Sequence, residues 1–375
     1  MKKLIAVLLT LALTLCGGTL SAFAEEAPAA DIAALAAEAT ALFDAGDYDA
    51  AFEKASALSD SGDAAIAALL GKAYYLGLGI RVNESRALHF LEAAAAEGYP
   101  SAAYLLADAA YYGRGRAMDR DEAARRYIKF VAVADEVDPA SPDYGMSMCY
   151  LAACFAGGRG VEKNHELALD AALKAAEATN LTPFELMELA AFFDAPAPNH
   201  VSNAADATGE YAVETARKVD AQKAEELYKR AAAGLEKLAA AGNPAAMKLL
   251  GDLYLDGKGG LDQDYAKAME QYLRAADEDY ADAEAQIGYM YQNGLGVELD
   301  YTRAMEWNNR AAMQGSAQGQ AQIGYLYQNG LGVTQNLDEA GRWYTRAKEG
   351  GSDWAAAMLE QTEATNPHAS FEAHA

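Results

Sequence analysis

Residues 285–297 read AQIGYMYQNGLGV, and residues 321–333 read AQIGYLYQNGLGV. The two segments differ only at Met290 against Leu326, and they lie 36 residues apart. A sequence repeats itself at fixed spacing when each copy is one structural unit packed on the next. The unit can be read from its residues. Gln286 to Asn293 is a helical run, with Ile287, Met290 and Tyr291 at spacings of three and four. Gly294 and Gly296 stop it, because glycine enters the left-handed conformation at little steric cost. Asp300 is an N-cap for a second helix, whose Ala304, Trp307, Asn308 and Ala311 again share one face. Gly315 closes the unit. Each unit is therefore helix A, a GxG turn, helix B and a short return, which predicts an all-α chain.

The same phase runs backwards through the sequence. A capping residue followed four positions later by alanine recurs as Asn83/Ala87, Asp119/Ala123, Asn164/Ala168, Asp220/Ala224, Asp264/Ala268, Asp300/Ala304 and Asn336/Ala340. Turn glycines keep step with it, from Gly77/Gly79 to Gly330/Gly332. These mark seven repeats over residues 64–352. Before them, residues 25–63 form a helical hairpin in which Asp47 caps the second helix. Pro100 and Pro244 stand in the first turn of an A helix, where a missing amide hydrogen costs nothing.

The pattern A-x-x-x-LG-x-x-Y-x-x-G-x-GV-x-x-D-x-x-KA-x-x-WY-x-x-A resembles the Sel-one-like repeat, a branch of the tetratricopeptide superfamily. Repeats six and seven match it nearly throughout, at Gly324, Tyr327, Gly330, Gly332, Val333, Ala340, Trp343, Tyr344 and Ala347 in the last. Repeats two and three are degenerate, with Ala107 and Ala152 at the small position of helix A. The resemblance covers about residues 64–355. It implies a right-handed α-solenoid and a protein-interaction scaffold, without naming a partner. Gly251, Gly288 and Gly324 are expected where helix B of the same hairpin approaches closely.

Repeat four departs from the pattern. Pro196 replaces the first turn glycine, and residues 195–219 are an insertion that begins as a Pro/Asn/Ala loop. The helix from Asp220 to Gly242 is longer than its counterparts by two turns, and is expected to protrude. Residues 353–363 are expected to form a helix that covers the open end of the array, with 364–375 a disordered tail.

Residues 1–24 carry Lys2 and Lys3, an apolar run, and Ala22-Phe23-Ala24, the arrangement of a secretory signal peptide cut near Ala24. The expected location is periplasmic or extracellular. Removing the two lysines takes the formal charge from −25 to −27, which disfavours nucleic acid and anionic membrane surfaces. No later apolar run is long enough to span a bilayer, so no membrane insertion is expected after signal removal. Cys149 and Cys154, five apart on one helix, read as buried small hydrophobes.

The sequence carries no catalytic, cofactor or metal signature. His89, His165, His200, His368 and His374 are scattered, and no HExxH or His/Cys cluster has ligand spacing. The glycine turns follow helices, whereas phosphate loops follow strands. Asp277, Glu278, Asp279, Asp282 and Glu284 form an acidic group without calcium-loop spacing, expected to be a solvated corner. Two functions remain: an exported, non-enzymatic scaffold for a protein or peptide, and a hydrolase of cell-wall or antibiotic amide bonds, an activity linked to some exported proteins of similar repeats. Those proteins carry one disulfide per repeat; this chain does not, and no nucleophile has a neighbouring base. The scaffold is the reading adopted.

Its candidate surface is on helix A. Tyr74, Tyr254, Tyr291 and Tyr327 fall on the buried stripe. Tyr289 and Tyr325 do not. With Gln286, Gln292, Gln322 and Gln328 they recur at i, i+3, i+6, predicting one polar and aromatic partner-binding face on the concave side.

Overall fold

The computed structural model describes residues 29–195 and 209–365. The predicted signal peptide at 1–24, the tail from 366 and residues 196–208 of the insertion lie outside the described residues. Among those described, 17 helices and no strands are present. They are α1 (Ala29–Asp44), α2 (Tyr48–Ser56), α3 (Ala64–Leu76), α4 (Glu84–Ala96), α5 (Pro100–Tyr112), α6 (Arg120–Ala134), α7 (Tyr144–Gly157), α8 (His165–Ala176) and α9 (Pro183–Asp194). α10 (Gly209–Ala240) begins within the insertion, and it is followed by α11 (Pro244–Asp256), α12 (Tyr265–Ala276), α13 (Ala281–Asn293), α14 (Tyr301–Met313), α15 (Ala317–Asn329), α16 (Leu337–Glu349) and α17 (Asp353–Thr365). They pair as successive antiparallel hairpins, stacked into an α-solenoid.

The local chemistry of the unit explains its regularity. In α14, the Asp300 carboxylate accepts from the amides of Thr302 and Arg303, and Asn336 does the same for Asp338 and Glu339 in α16. The cap's own N–H reaches back across the turn: Asn83 donates to Tyr74 O at 2.9 Å, Asp300 to Tyr291 O at 3.0 Å and Asn336 to Tyr327 O at 3.0 Å. One residue thus starts helix B and fastens it to the end of helix A.

The two turn glycines have different duties. Gly330 ends α15 in the left-handed region, at φ 66°. Gly332 also has positive φ, at 69°, but in addition a Cβ there would stand 2.6 Å from Tyr301 Cβ, on the first residue of the previous B helix. The second glycine is where neighbouring repeats stack. Small residues on helix A let the hairpin close: a Cβ on Gly251 would meet the Tyr272 ring at 2.5 Å, and one on Gly324 the Tyr344 ring at 2.8 Å.

Repeat four differs from the sequence expectation. Asp220 is not an N-cap, because α10 begins at Gly209 and runs through it for 32 residues. That is about 48 Å of helix. Its packed part includes Ala224, Leu227 and Tyr228, all buried. At the far end, Ala355, Leu359 and Thr362 of α17 are buried, with the first two packed among Ala321, Ala340, Tyr344 and Ala347.

The superhelix is tight enough to meet itself. Asn243, at the start of α11, donates through Nδ2 to Leu76 O and Gly77 O at the end of α3, both at 2.9 Å. Further along, between repeats two and seven, the Arg120 guanidinium donates to Glu349 O at the end of α16 and lies 4.4 Å from the centre of the Tyr111 ring. Between repeats one, two and three, buried Asp143 accepts from Lys72 Nζ at 3.1 Å, Ser101 N at 2.9 Å and Ser147 Oγ at 3.1 Å. A charge taken out of water here keeps a full set of partners, as burial requires.

Candidate functional site: the concave groove

A helices line the inside of the curl. Two adjoining lobes, of about 620 and 850 Å³, share a wall that includes Tyr75, Arg114, Phe184, Glu188 and Gln322. The register is set by the small residue of each A helix. Gln286 and Gln322 stand two positions before Gly288 and Gly324. Leu105, Tyr150, Glu188 and Leu249 stand two before Ala107, Ala152, Ala190 and Gly251, and all of these except Ala107, Ala152, Ala190 and the glycines line the lobes. One position after the small residue come Asp108, Asp252 and Tyr289, also on the wall.

The six candidate residues separate in three dimensions. Gln286, Tyr289 and Gln322 line the groove. Tyr325 is half-buried and its ring centre lies 6.2 Å from that of Trp354, itself a wall residue of the smaller lobe. Gln328 accepts a hydrogen bond from Tyr344 Oη at 2.6 Å, within its own hairpin. Gln292 is only 8% exposed, so the expected surface face does not include it. The reason is helical geometry: six positions advance a helix by about 600°, leaving the third residue about 120° from the first. A further correction applies to Glu284, expected in a solvated acidic corner. It is fully buried beneath α14, where Arg310 Nη2 stands 2.7 Å from Oε1 and Gln314 Nε2 donates to Oε2 at 2.6 Å.

The wall carries charged groups that the sequence reading passed over. Tyr75 Oη donates to Asp108 Oδ2 at 2.9 Å. Arg159 donates to Tyr104 Oη at 2.8 Å and Tyr112 Oη at 3.2 Å, and stands 3.8 Å from Asp108. The Tyr104 and Tyr150 rings stack at 4.1 Å. The Arg114 guanidinium lies over the Tyr75 and Tyr112 rings, at 5.4 and 5.7 Å. On the larger lobe, Asp252 accepts from Lys248, Tyr272 and Gln286. Glu188 is open to the groove water yet enclosed by its walls. That enclosure, followed by the nearby charges of Asp108 and Glu185, pushes its carboxyl up to about 7, against the opposing pull of Arg159 and Arg114. The signal for Glu188 was its register before Ala190, obscured because repeat four lacks the glycines that mark the others.

Among the described residues, no group of His, Cys, Asp and Glu side chains is arranged to hold a metal ion, and no helix is long and apolar enough to cross a membrane. Cys149 and Cys154 are free thiols, both buried; burial raises both, Cys154 to about 12.

The Sel1 repeat matches seven times, over residues 67–99, 100–128, 145–180, 208–234, 244–280, 281–316 and 317–352. The chain belongs to the Sel1 repeat family. The fourth Sel1 match falls on the long helix α10, while the other six each cover a stretch marked by a cap and glycines in phase. Among solved structures, it is similar to a protective antigen of uropathogenic Escherichia coli strains with an SLR fold, at 20% identity and a TM-score of 0.33, covering 91% of this chain and 66% of that one. It is also similar to a Sel1 repeat protein from Oxalobacter formigenes, at 23% identity and a TM-score of 0.34, covering 84% of this chain and 80% of that one. No curated protein matches the chain.

Proposed function

We propose that this Sel1 repeat protein is an exported, non-enzymatic scaffold that holds a protein or peptide partner in its concave groove. The observation that carries this reading is the register on the A helices. Gln286, Tyr289 and Gln322 line the same groove as the aromatic side chains of Tyr75, Tyr104 and Tyr112. Glutamine offers both donors and acceptors to a peptide backbone, and tyrosine a large contact area at low entropy cost. Export is supported by the charge and apolar pattern of residues 1–24.

The test is Tyr289→Ala combined with Tyr325→Ala. The double variant keeps the helical content of the parent and loses capture of the native partner in a pull-down from the cell envelope or culture medium. Undiminished capture by a folded double variant refutes the concave site and directs attention to α10.

A further inference from the structure

The groove is acidic, and its cations are already engaged. Seven carboxylates and four cationic side chains line the two lobes. Lys248 pairs with Asp252 at 2.8 Å, Lys258 with Asp194 at 2.7 Å and with Asp256 at 3.3 Å, and Arg159 is held by Asp108 and two tyrosine hydroxyls. Arg114 is spread over two rings. On the acidic side, Glu185 is consumed by the Tyr150 hydroxyl at 2.6 Å and the Thr182 amide at 2.9 Å. Glu188 is different. It is the one carboxylate among the described residues that lines both lobes, and, like Glu84 of the larger lobe, it has no hydrogen bond or salt bridge among them.

We propose that the occupant of the groove is a peptide segment bearing lysine or arginine, and that Glu188 is the carboxylate that pairs with its cationic head. This rests on the scaffold reading above and adds the chemistry of the partner. The lining has a net negative charge, so a cationic segment is complementary and an anionic one is repelled. Glu188 stands in the same register as Gln286 and Gln322, so one extended segment crossing the A helices meets the carboxylate and the amides in turn. The groups that face Glu188 are Asp108 and Glu185, which disfavour its charge, and Arg159 and Arg114, which favour it. An incoming cation relieves the carboxylate repulsion and supplies the missing partner.

The test uses a fluorescein-labelled alternating glycine–lysine peptide and its glycine–glutamate counterpart of equal length, with binding to the whole protein read by fluorescence anisotropy at low salt. The lysine peptide binds and the glutamate peptide does not. Glu188→Gln weakens the lysine peptide by about tenfold or more, the usual worth of a hydrogen bond to a charged group. Glu136→Gln makes the same charge change at an exposed site away from the groove, and leaves affinity unchanged. Parent affinity rises from about pH 6 to about pH 8 as Glu188 ionises, while lysine stays charged; in Glu188→Gln the rise is absent. Melting midpoints and far-ultraviolet dichroism of both variants confirm that they are folded.

Equal affinities of the two glutamine variants, preference for the glutamate peptide, or no binding of the lysine peptide overturns the proposal. The two readings fail separately. If the tyrosine double variant loses the native partner while Glu188→Gln keeps it, the groove stands and the cationic assignment falls.

Discussion

Asn243 Nδ2 lies 2.9 Å from the carbonyl oxygen of Leu76, 167 residues earlier in the chain. The same side chain donates to Gly77 O, while its Oδ1 accepts from the Ala246 amide to cap α11. One buried amide thus starts a helix in repeat five and closes the curl on repeat one. Glutamate and aspartate cannot reproduce this, because two of its three contacts require a donor. Asn243→Ala is expected to cost about 1–3 kcal/mol, from the lost cap and two orphaned carbonyls. Asn243→Asp keeps the cap but places a carboxylate against two carbonyl oxygens, and is expected to lower the melting midpoint further than alanine does. A midpoint for the aspartate variant above that of the alanine variant would show that only the cap matters.

Repeat six buries unpaired polar atoms where its neighbours place a tyrosine. Tyr272 and Tyr344 pack on Gly251 and Gly324, and Tyr344 Oη reaches Gln328. At the equivalent place Asn308 packs on Gly288, with both amide atoms buried and unpaired, and Gln292 Oε1 is unpaired as well. Asn308→Tyr should replace the unpaired amide with a ring and donate to Gln292, raising stability by about 1–3 kcal/mol through relief of unsatisfied groups. Thermal unfolding checks it; a lower midpoint would show that the hairpin of repeat six cannot take the ring.

Gly324→Ala is expected to act in the opposite direction. Its Cβ would stand 2.8 Å from the Tyr344 ring, which is fully buried and has little room to retreat. Overpacking of this kind costs about 1–3 kcal/mol. An unchanged midpoint would mean that the α15–α16 hairpin widens freely.

Glu188 gives a pH-dependent stability of defined sign. Its folded-state pKa is raised to about 7 from 4.5, so the folded protein holds that proton where the unfolded chain has released it. The cost of its charge is absent at acid pH and fully present above about 7. The melting midpoint of Glu188→Gln minus that of the parent should therefore grow through this interval and level off beyond it. A difference that stays constant with pH would place Glu188 in ordinary solvent.

The two thiols supply a check on the core. Both are buried and raised above the ordinary thiol range, so the thiolate that reacts is scarce and shielded. Iodoacetamide at mildly alkaline pH should leave both unmodified in the native protein and alkylate both in denaturant. Rapid native labelling of either would mean that α7 opens locally.

The repeat was legible in the sequence because its determinants are local. A cap acts over two or three residues, a turn glycine over one, and a hairpin contact such as Gly324 to Tyr344 over 20, so each recurs wherever the motif recurs. Half of the candidate surface was legible for the same reason, since Gln286, Tyr289 and Gln322 follow from the phase of one helix. Gln292 did not follow, because strict i+3 spacing drifts around a helix of 3.6 residues per turn. Tertiary structure alone decided the rest. Each repeat rotates slightly on the last, and only the sum over four repeats brings Asn243 to Leu76 and joins Glu188, Arg114 and Gln322 on one wall.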